Sequence, residues 1–227
     1  MTTILALETS GSLCSVALIC ETGSFENTRN VERMHNQVLL GMLDDLFEQA
    51  AVAPAGVDVV AFGAGPGSFT GVRIAAAVAQ GIGVGIGGKV VPVSSSLARA
   101  AVAFREHPDD TAVITLIRSR RDAYYLAGYT RSSGKIAISF ADVLVTAWPD
   151  GLWDGQRLAV GDLPDWWSSD RPETLNFGGE ALVTAPVIAE LGLAAAHAGG
   201  AFDPALGLPV YLKGDSPWKP VDSGGSG

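Results

Sequence analysis

With 227 residues, 48% of them hydrophobic, the chain is long enough to bury a sizeable core and is too apolar for a disordered protein. Its formal net charge of −9 repels phosphate backbones, which argues against autonomous binding of RNA or DNA. The opening MTTILALETS lacks the features of a signal peptide, and no uncharged run reaches the roughly 20 residues of a membrane span, so we expect a cytoplasmic protein without membrane contacts.

The first half of the chain alternates strand and helix patterns. Apolar and β-branched runs predict strands over residues 3–9, 13–20, 57–62 and 89–93, and a more polar edge strand over residues 25–31. Apolar residues at helical spacing predict helices over about 35–51, 69–82 and 97–104. Cys14 and Cys20 share one predicted strand, too far apart for an internal disulfide.

The pattern begins again after a polar stretch at residues 106–110. Strands are predicted over residues 112–117, 124–129, near 136–145, 158–160 and 174–177, and helices over about 181–191 and 194–198. Two successive halves of this kind predict a duplicated ribonuclease H-like α/β fold, as in actin, Hsp70 and sugar kinases, with two lobes of mixed five-stranded sheets flanked by helices. The predicted lobes are residues 1–107 and 108–212, with a mobile tail over 213–227.

Residues 57–88 are the most distinctive stretch of the sequence. A buried strand ends in the loop Gly63-Ala-Gly65-Pro66-Gly67, where glycine permits close backbone approach and proline cannot continue a ladder. Ser68 or Thr70 can cap the helix that follows. One face of this helix carries short side chains: Val72, Ala75, Ala76, Ala79 and Gly83. That face indicates either tight packing within the chain or an interface with a second protein chain.

Two segments invite a comparison with nucleotide-binding proteins. In the glycine loop, Ser68 stands where a dinucleotide fingerprint requires its third glycine, and the lysine of a P-loop is absent. In the segment 8–12, Glu8 offers a carboxylate and Ser10 and Ser12 offer hydroxyls, at the position where actin-like proteins hold phosphate and magnesium. These three residues are therefore the candidate nucleotide contacts; the alternative is a polar strand end in a turn.

Metal and catalytic patterns are incomplete in this sequence. His35 opens the first long helix, but the position one turn later is Leu39, so a helical pair of ligands is not formed and we predict no metal site. No nucleophile motif is found, so no catalytic residue is assigned. Arg118, Arg120 and Arg121 form either a solvated hairpin turn or an anion or partner contact.

The segment GAGPGSFTGVRIAAAVAQGI resembles the G-x-G-P-G-S-F-T-G-x-R hallmark of the TsaB (YeaZ-like) proteins. The resemblance extends to ILALETSGSLCSVAL, MHNQVLLGMLDDLF, RSRRDAYYLAGY and LPVYLK, which are similar to the family's opening hairpin, first helix, arginine-bearing hairpin and P-x-Y-L-R segment. The chain departs from the family at Glu8, where Asp is frequent, and at Arg118-Ser119-Arg120, where Asp-Ala-Arg is frequent.

The resemblance implies a non-catalytic scaffold or activator subunit. Its partner would be TsaD, the related subunit that transfers a threonylcarbamoyl group to N6 of the adenosine 3′ of the anticodon in tRNAs reading codons that begin with A. TsaE, a small ATPase, would join them. The resemblance further implies a heterodimer with TsaD, a homodimer when the chain is alone and tRNA contact only through the complex. It implies no cofactor on this chain alone, with ATP or ADP at the interface of the complex.

We predict that the helix after the glycine loop supplies both the homodimer and the TsaD contact. The residues of this predicted interface are Phe69, Thr70, Val72, Arg73, Ala75, Ala76, Ala79 and Gly83. An autonomous kinase or ATPase of the actin-like superfamily is the alternative function, which Glu8, the first hairpin and the glycine loop keep open. A Rossmann-type dehydrogenase is disfavoured by Ser68 and by the strand order.

Overall fold

The structure, a computed structural model, describes residues 1–31, 34–120, 122–149, 151, 155, 158–168 and 171–210. Its first sheet contains β1 (Ile4–Glu8), β2 (Leu13–Cys20), β3 (Gly23–Asn30), β4 (Val59–Gly65) and β5 (Lys89–Ser94), in the order β3-β2-β1-β4-β5. β1 and β2 form an antiparallel hairpin, whereas β4 and β5 run parallel to β1. Two helices connect these strands, α1 (His35–Ala50) and α2 (Phe69–Ile86), and α3 (Ser95–Glu106) follows β5 and leads to the second sheet.

The second sheet repeats this arrangement. It contains β6 (Ala112–Arg120), β7 (Ala123–Ser132), β8 (Lys135–Val145), β9 (Leu158–Gly161) and β10 (Asn176–Phe177), in the order β10-β9-β6-β7-β8. β6 and β7 form the antiparallel hairpin, and β9 and β10 run parallel to β6. Two mixed five-stranded sheets with the same topology, flanked by helices, confirm the predicted duplicated ribonuclease H-like fold.

Alternating residues of the first sheet build two cores. Leu5 and Leu7 of β1 face one side, where they join α1 and α2 in a core. Ile4 and Ala6 face the other side, where they pack with α3, with α4 (Ala185–His197) and with residues of the second sheet. The helices α3 and α4 therefore lie in the layer between the two sheets. Because alternate residues of a strand face the same side, the Glu8 side chain faces this layer, as Ile4 and Ala6 do.

The C-terminal part of the described chain returns to the first sheet. α4 packs against β1, β2, β4 and β5. Its first backbone amide, at Ala185, donates to Ser15 Oγ, and Val210 N donates to Ala64 O. A bridge between Val90 and Phe202 extends this contact. The predicted lobe of residues 108–212 is therefore wrong at its C-terminal end, because residues 185–210 pack against strands of the first half.

Most predicted elements are present, and two of them differ in a way that their sequence explains. The strand predicted to end at Phe62 continues to Gly65, because the glycines accommodate a bulge between Gly63 and Gly65 without leaving the ladder. The two short helices predicted over 181–191 and 194–198 form one helix, α4. The predicted mobile tail over 213–227 lies outside the described residues.

Candidate functional site

A cleft of about 240 Å³ lies between the two halves of the chain, beside the carboxyl ends of β1 and β4. The first half contributes one carboxylate, four serines and one guanidinium to its lining, and the second half contributes carboxylates, a guanidinium and aliphatic side chains. Its charged and hydroxyl-bearing residues are Glu8, Ser10, Ser12, Ser68, Ser95, Arg99, Arg118, Asp162 and Glu180. The cleft therefore contains both signs of charge and hydroxyl groups from three separate segments of the first half.

Glu8 is the most deeply buried acid of this cleft. It is 2% exposed, and its Oε1 accepts the backbone N–H of Ser10, whereas Oε2 has no hydrogen-bond partner among the described residues. Burial raises the pKa of Glu8 above its ordinary value, against the opposing effects of the Ser10 hydrogen bonds and the positive charge of Arg99. Glu8 is thus an acid whose ionised form is poorly stabilised by the chain itself.

The glycine loop holds the β1–β2 turn in place. A methyl group on Gly63 would overlap the Glu8 carboxylate, one on Gly67 would lie 2.7 Å from Ser10 O, and one on Gly71 would overlap Thr9 O. The amide of Ser68 donates to Ser10 O. These glycines therefore allow close contact between two loops of one chain, and the Ser68 amide is occupied by that contact instead of facing a phosphate.

Serine hydroxyls extend the same contact. Ser95 Oγ accepts from Gly65 N at 3.2 Å and lies 3.2 Å from Ser10 Oγ. Ser68 caps α2 by accepting from Gly71 N, as its position in the sequence predicts. The turn after β1, the loop after β4 and the start of α3 thus form one hydrogen-bonded edge of the cleft.

Arg99 joins this edge to the second half of the chain. Its Nη1 donates to Leu116 O at 2.8 Å and to Asp162 Oδ1 at 3.3 Å, and its side chain is 11% exposed. Asp162 also accepts the backbone N–H of Arg118 at 2.7 Å. The Nε of Arg99 is buried and has no partner among the described residues. An arginine on α3 therefore bridges to strand β6 while one of its donors remains unused.

The structure brings the three candidate nucleotide contacts together, since Glu8, Ser10 and Ser12 all line the cleft. Nucleotide contact itself stays a prediction. Sequence reasoning missed Arg99 and Asp162, which border the cleft from α3 and from the end of β9. A signal for Arg99 was present: it is a lone charge among the apolar residues of LARAAVAF, where an unpaired guanidinium would be costly. Asp162 gave no comparable signal.

His35 takes a structural position at the start of α1. It is 6% exposed, its Nε2 lies 3.3 Å from Leu13 O, and Leu39 one turn later is in the core. Within the part of the chain that the structure describes, no three His, Cys, Asp or Glu side chains are grouped to hold a metal ion.

Two of the three arginines of the predicted cluster lie in the described part of the chain. The guanidinium of Arg118 lies 5.3 Å from the Tyr124 ring centroid and lines the cleft. Arg120 ends β6 on the surface, and Arg121 lies outside the described residues.

The predicted interface on α2 is wrong for five of its eight residues. Val72, Ala75, Ala76, Ala79 and Gly83 are buried within the chain. Ala75, Ala76 and Ala79 belong to the core formed with α1 and the first sheet, and a methyl group on Gly83 would lie 2.9 Å from Pro204. The short side chains allow α2 to approach its own sheet, so this face is not available to a second chain. Phe69, Thr70 and Arg73 do lie at the surface, where the Arg73 guanidinium stacks over the Phe69 ring at 3.4 Å.

The opposite face of α2 is apolar as well. We call it the exposed stripe, and it consists of Thr70, Ala77, Gly81, Val84 and Gly85, together with Ile74, which is half-buried and also packs against the core. Val84 is 70% exposed, and a methyl group on Gly81 or Gly85 would touch nothing within 4 Å. At its N-terminal end, Thr70 and Ile74 border a groove of about 750 Å³ next to His35. By length and composition α2 could cross a membrane, but its other face lies in a core, as in a helix of a globular domain.

Comparison with known proteins places this architecture in a family. The family profile of TsaD, tRNA N6-adenosine threonylcarbamoyltransferase, matches residues 28–165. The structure named YeaZ from Pseudomonas aeruginosa is 32% identical and aligns with a TM-score of 0.84 over 93% of this chain and 100% of its own. The chain belongs to the TsaB/YeaZ family.

Curated relatives in this family match over shorter ranges. The tRNA threonylcarbamoyladenosine biosynthesis protein TsaB of Haemophilus influenzae is 37% identical over 123 residues, which cover 54% of this chain and 52% of that protein. TsaB of Escherichia coli K12 is 34% identical over 133 residues, or 59% of this chain and 57% of its own length. The matched region thus spans somewhat more than half the length of these two relatives.

Proposed function

We propose that this chain is a non-catalytic subunit that activates TsaD, together with TsaE, for threonylcarbamoyl transfer to N6 of the adenosine 3′ of the tRNA anticodon. The similarity to the curated TsaB relatives and to the TsaD family profile supports the pathway. The observation that supports the subunit role is the exposed stripe of α2, because leaving this apolar surface in water costs free energy.

The stripe differs from the ordinary surface of a helix. An amphipathic helix normally turns charged or polar residues outward, whereas this one presents Ala77, Gly81 and Val84. On the neighbouring helix α1, Leu40 is 61% exposed. Apolar residues grouped on two adjacent helices of a chain with a net charge of −9 indicate a protein-binding surface.

A subunit of the same fold suits this surface best. Small residues at Ala77, Gly81 and Gly85 let a second helix approach closely, and a related chain can present an equivalent helix about a pseudo-twofold axis. TsaD is the related chain that the family profile names. A second copy of this chain can use the same stripe, so we expect homodimer and heterodimer formation to compete.

The residues of the chain fit a supporting role better than a catalytic one. The ring of His35 is engaged with Leu13 O, and its neighbour Leu39 is in the core, so α1 presents no pair of ligands. The acidic surface leaves tRNA binding to a partner with basic residues. ATP or ADP bound at the interface of the complex remains part of this proposal.

Arginine substitutions on the two faces of α2 test the interface. Ala77→Arg and Gly81→Arg place a charge in the exposed stripe, where the isolated chain has room for it. We expect each variant to remain folded and to lose capture by tagged TsaD from the same organism, because a buried unpaired charge costs several kcal/mol. Ala194→Arg, an exposed alanine on α4, is the matched control and should still bind.

Two further measurements complete this test. Light scattering should show that the stripe variants become monomeric, and circular dichroism should match the wild type. Threonylcarbamoylation of tRNA by TsaD and TsaE should require the wild-type chain or the Ala194→Arg variant and should fail with Ala77→Arg. A folded Ala77→Arg variant that still captures TsaD and supports modification would place the interface elsewhere.

A further inference from the structure

Two buried atoms of opposite formal charge lack partners beside the same cleft. Glu8 Oε2 and Arg99 Nε are both shielded from solvent, and neither has a hydrogen bond to any described residue. Buried polar atoms are nearly always paired in folded proteins, so each exception calls for an explanation. Two such exceptions of opposite charge in one cleft are more informative than either one alone.

The two groups do not satisfy each other. The Nη1 of Arg99 is held by Leu116 O and Asp162, and the Oε1 of Glu8 is held by the Ser10 amide. No ion pair between Glu8 and Arg99 is present, although the positive charge of Arg99 acts on Glu8. Both side chains line the cleft. Because Glu8 Oε2 lies against Gly63 and both unpartnered atoms are shielded from solvent, a ligand in the cleft bonds to them after a small shift of these two side chains.

We propose that the cleft binds a small zwitterion, a free α-amino acid, whose ammonium group is held at Glu8 and whose carboxylate is held at Arg99. The ammonium group supplies the donor that Glu8 Oε2 lacks, and the carboxylate supplies the acceptor that Arg99 Nε lacks. The hydroxyls of Ser12 and Ser68 line the same space and can complete the contacts. Leu13, Leu182 and Val183 provide an apolar wall for a short side chain.

The size and charge of the cleft favour this class of ligand over a nucleotide. Its volume of about 240 Å³ is below the roughly 300 Å³ at which pockets for drug-sized ligands begin. The lining has three acids, Glu8, Asp162 and Glu180, and only two guanidinium groups, so it offers a polyphosphate no excess of positive charge. A simple anion leaves Glu8 unpaired, and a simple cation leaves Arg99 Nε unpaired. A zwitterion of amino-acid size satisfies both.

The ligand would also connect the two halves of the chain. Glu8 and Ser12 belong to the first hairpin, whereas Asp162 and Leu182 follow strands of the second half. Binding in this position stabilises the folded chain by mass action, so the ligand should raise the melting temperature. Ser12 and Ser68 border both the cleft and the groove beside Thr70, so the cleft and the exposed stripe meet at these two residues. The binding measurement uses this chain alone, so its outcome does not depend on the TsaD contact.

The test is isothermal titration calorimetry and thermal unfolding of the full chain with each of the twenty common L-amino acids. Propionate and propylamine, which carry one charge each, are the fragment controls, and inorganic phosphate and ADP are the competing ligand classes. We expect at least one amino acid to bind with one-to-one stoichiometry and a Kd below about 1 mM. It should bind at least about tenfold more tightly than either fragment, because each charged hydrogen bond contributes separately.

Two variants locate the binding site. Glu8→Gln keeps an acceptor for the Ser10 amide but removes the charge, and it should weaken amino-acid binding at least about tenfold. Glu26→Gln, an exposed acid on β3, is the matched control and should bind as the wild type does. The proposal is overturned if no amino acid binds, if Glu8→Gln binds equally well, or if phosphate or ADP binds more tightly than every amino acid in a Glu8-dependent manner. The fragment comparison on wild-type protein needs no variant and tests the proposal independently of folding.

Discussion

At the scale of single residues, Glu8 is a buried acid whose ionised form the fold stabilises only in part. Its carboxyl is buried in the layer between the sheets, against Gly63, and only one of its oxygens is bonded. Burial raises the pKa of Glu8, and the hydrogen bonds from Ser10 and the charge of Arg99 only partly offset this effect. Groups of this kind are typical of functional sites, where a local cost in stability is retained for binding.

The pH dependence of stability should reveal the raised pKa of Glu8. Between the ordinary pKa of 4.5 and the higher folded-state value, the folded chain binds more protons than the unfolded chain. The contribution of Glu8 to stability is therefore fully present below pH 4.5 and is lost as the pH rises through the folded-state pKa.

Glu8→Gln removes this loss. We expect the variant to exceed the wild type in free energy of unfolding by at least about 1 kcal/mol at about pH 8, and to match it near about pH 4. Urea unfolding at the two pH values measures the difference, with Glu26→Gln as the control. If the variant and the wild type are equally stable at both pH values, Glu8 ionises without cost and the interpretation of its burial is wrong.

Two glycines of α2 should respond in opposite directions to the same substitution. A methyl group at Gly71 would overlap Thr9 O, a backbone atom of a buried strand end that cannot move away cheaply. Gly71→Ala should therefore cost about 1–3 kcal/mol of stability. Gly81→Ala adds its methyl group in open space and should stabilise the isolated chain by about 0.5–1 kcal/mol, because alanine favours helix. Thermal unfolding of both variants measures the contrast.

At the scale of secondary structure, local patterns predict most of this molecule. Alternating and continuous apolar runs identify the strands of both sheets, and the spacing of Leu39, Met42 and Leu46 identifies α1. The partner of each helix face was harder to predict. α2 carries short side chains on both sides, so composition did not distinguish the face against the sheet from the face against solvent. The prediction chose Ala75, Ala76 and Ala79, which the sheet covers.

Only part of the candidate site could be predicted from local sequence. Glu8, Ser10 and Ser12 are neighbours in one hairpin, and local sequence was enough to group them. Arg99 and Asp162 reach the same cleft from distant positions, through the packing of α3 between the sheets. Contacts between residues so far apart in sequence depend on tertiary packing. The lone charge of Arg99 among apolar residues indicated that it needs a partner but not which one, and Asp162 gave no local signal.

A charge on the buried face of α2 should unfold the chain. Ala79 has no exposed surface and lies in the core with α1. Ala79→Arg should cost several kcal/mol, a large part of the 5–15 kcal/mol that typically stabilises a domain, because the guanidinium has no partner there. Circular dichroism should show lost structure, whereas Ala77→Arg on the exposed stripe should keep the wild-type spectrum. A well-folded Ala79→Arg variant would mean that α2 is not held against the sheet.

At the scale of the whole molecule, the two sheets share one central layer. α3 and α4 lie between them, and their core includes Val59 and Val91 of the first sheet together with Val113 and Val160 of the second. α4 follows the second sheet in sequence but packs on the first, as its contact with Ala61 through Gly192 illustrates. The repeated strand order predicted two lobes, yet this shared layer indicates that they unfold together.

A substitution that weakens packing against the first sheet should therefore also change the unfolding of the tryptophans at the outer face of the second sheet. All five tryptophans follow residue 147, and Trp148, Trp166 and Trp167 contact one another at the outer face of the second sheet. Gly192→Val adds atoms at a position where even a methyl carbon would lie 2.5 Å from Ala61 Cβ, so it should lower stability by about 1–3 kcal/mol.

If the molecule unfolds as one cooperative unit, tryptophan fluorescence and far-ultraviolet circular dichroism should give the same urea midpoint in the wild type. Gly192→Val should shift both midpoints equally, although its site is in contact with the first sheet. Gly199→Ala would not serve as a control, because Gly199 has a φ of 85°. Ala194→Arg on the exposed side of the same helix serves instead and should leave both midpoints nearly unchanged. A Gly192→Val variant in which circular dichroism shifts while the tryptophan transition stays in place would show that each sheet unfolds independently, with α4 belonging to the first alone.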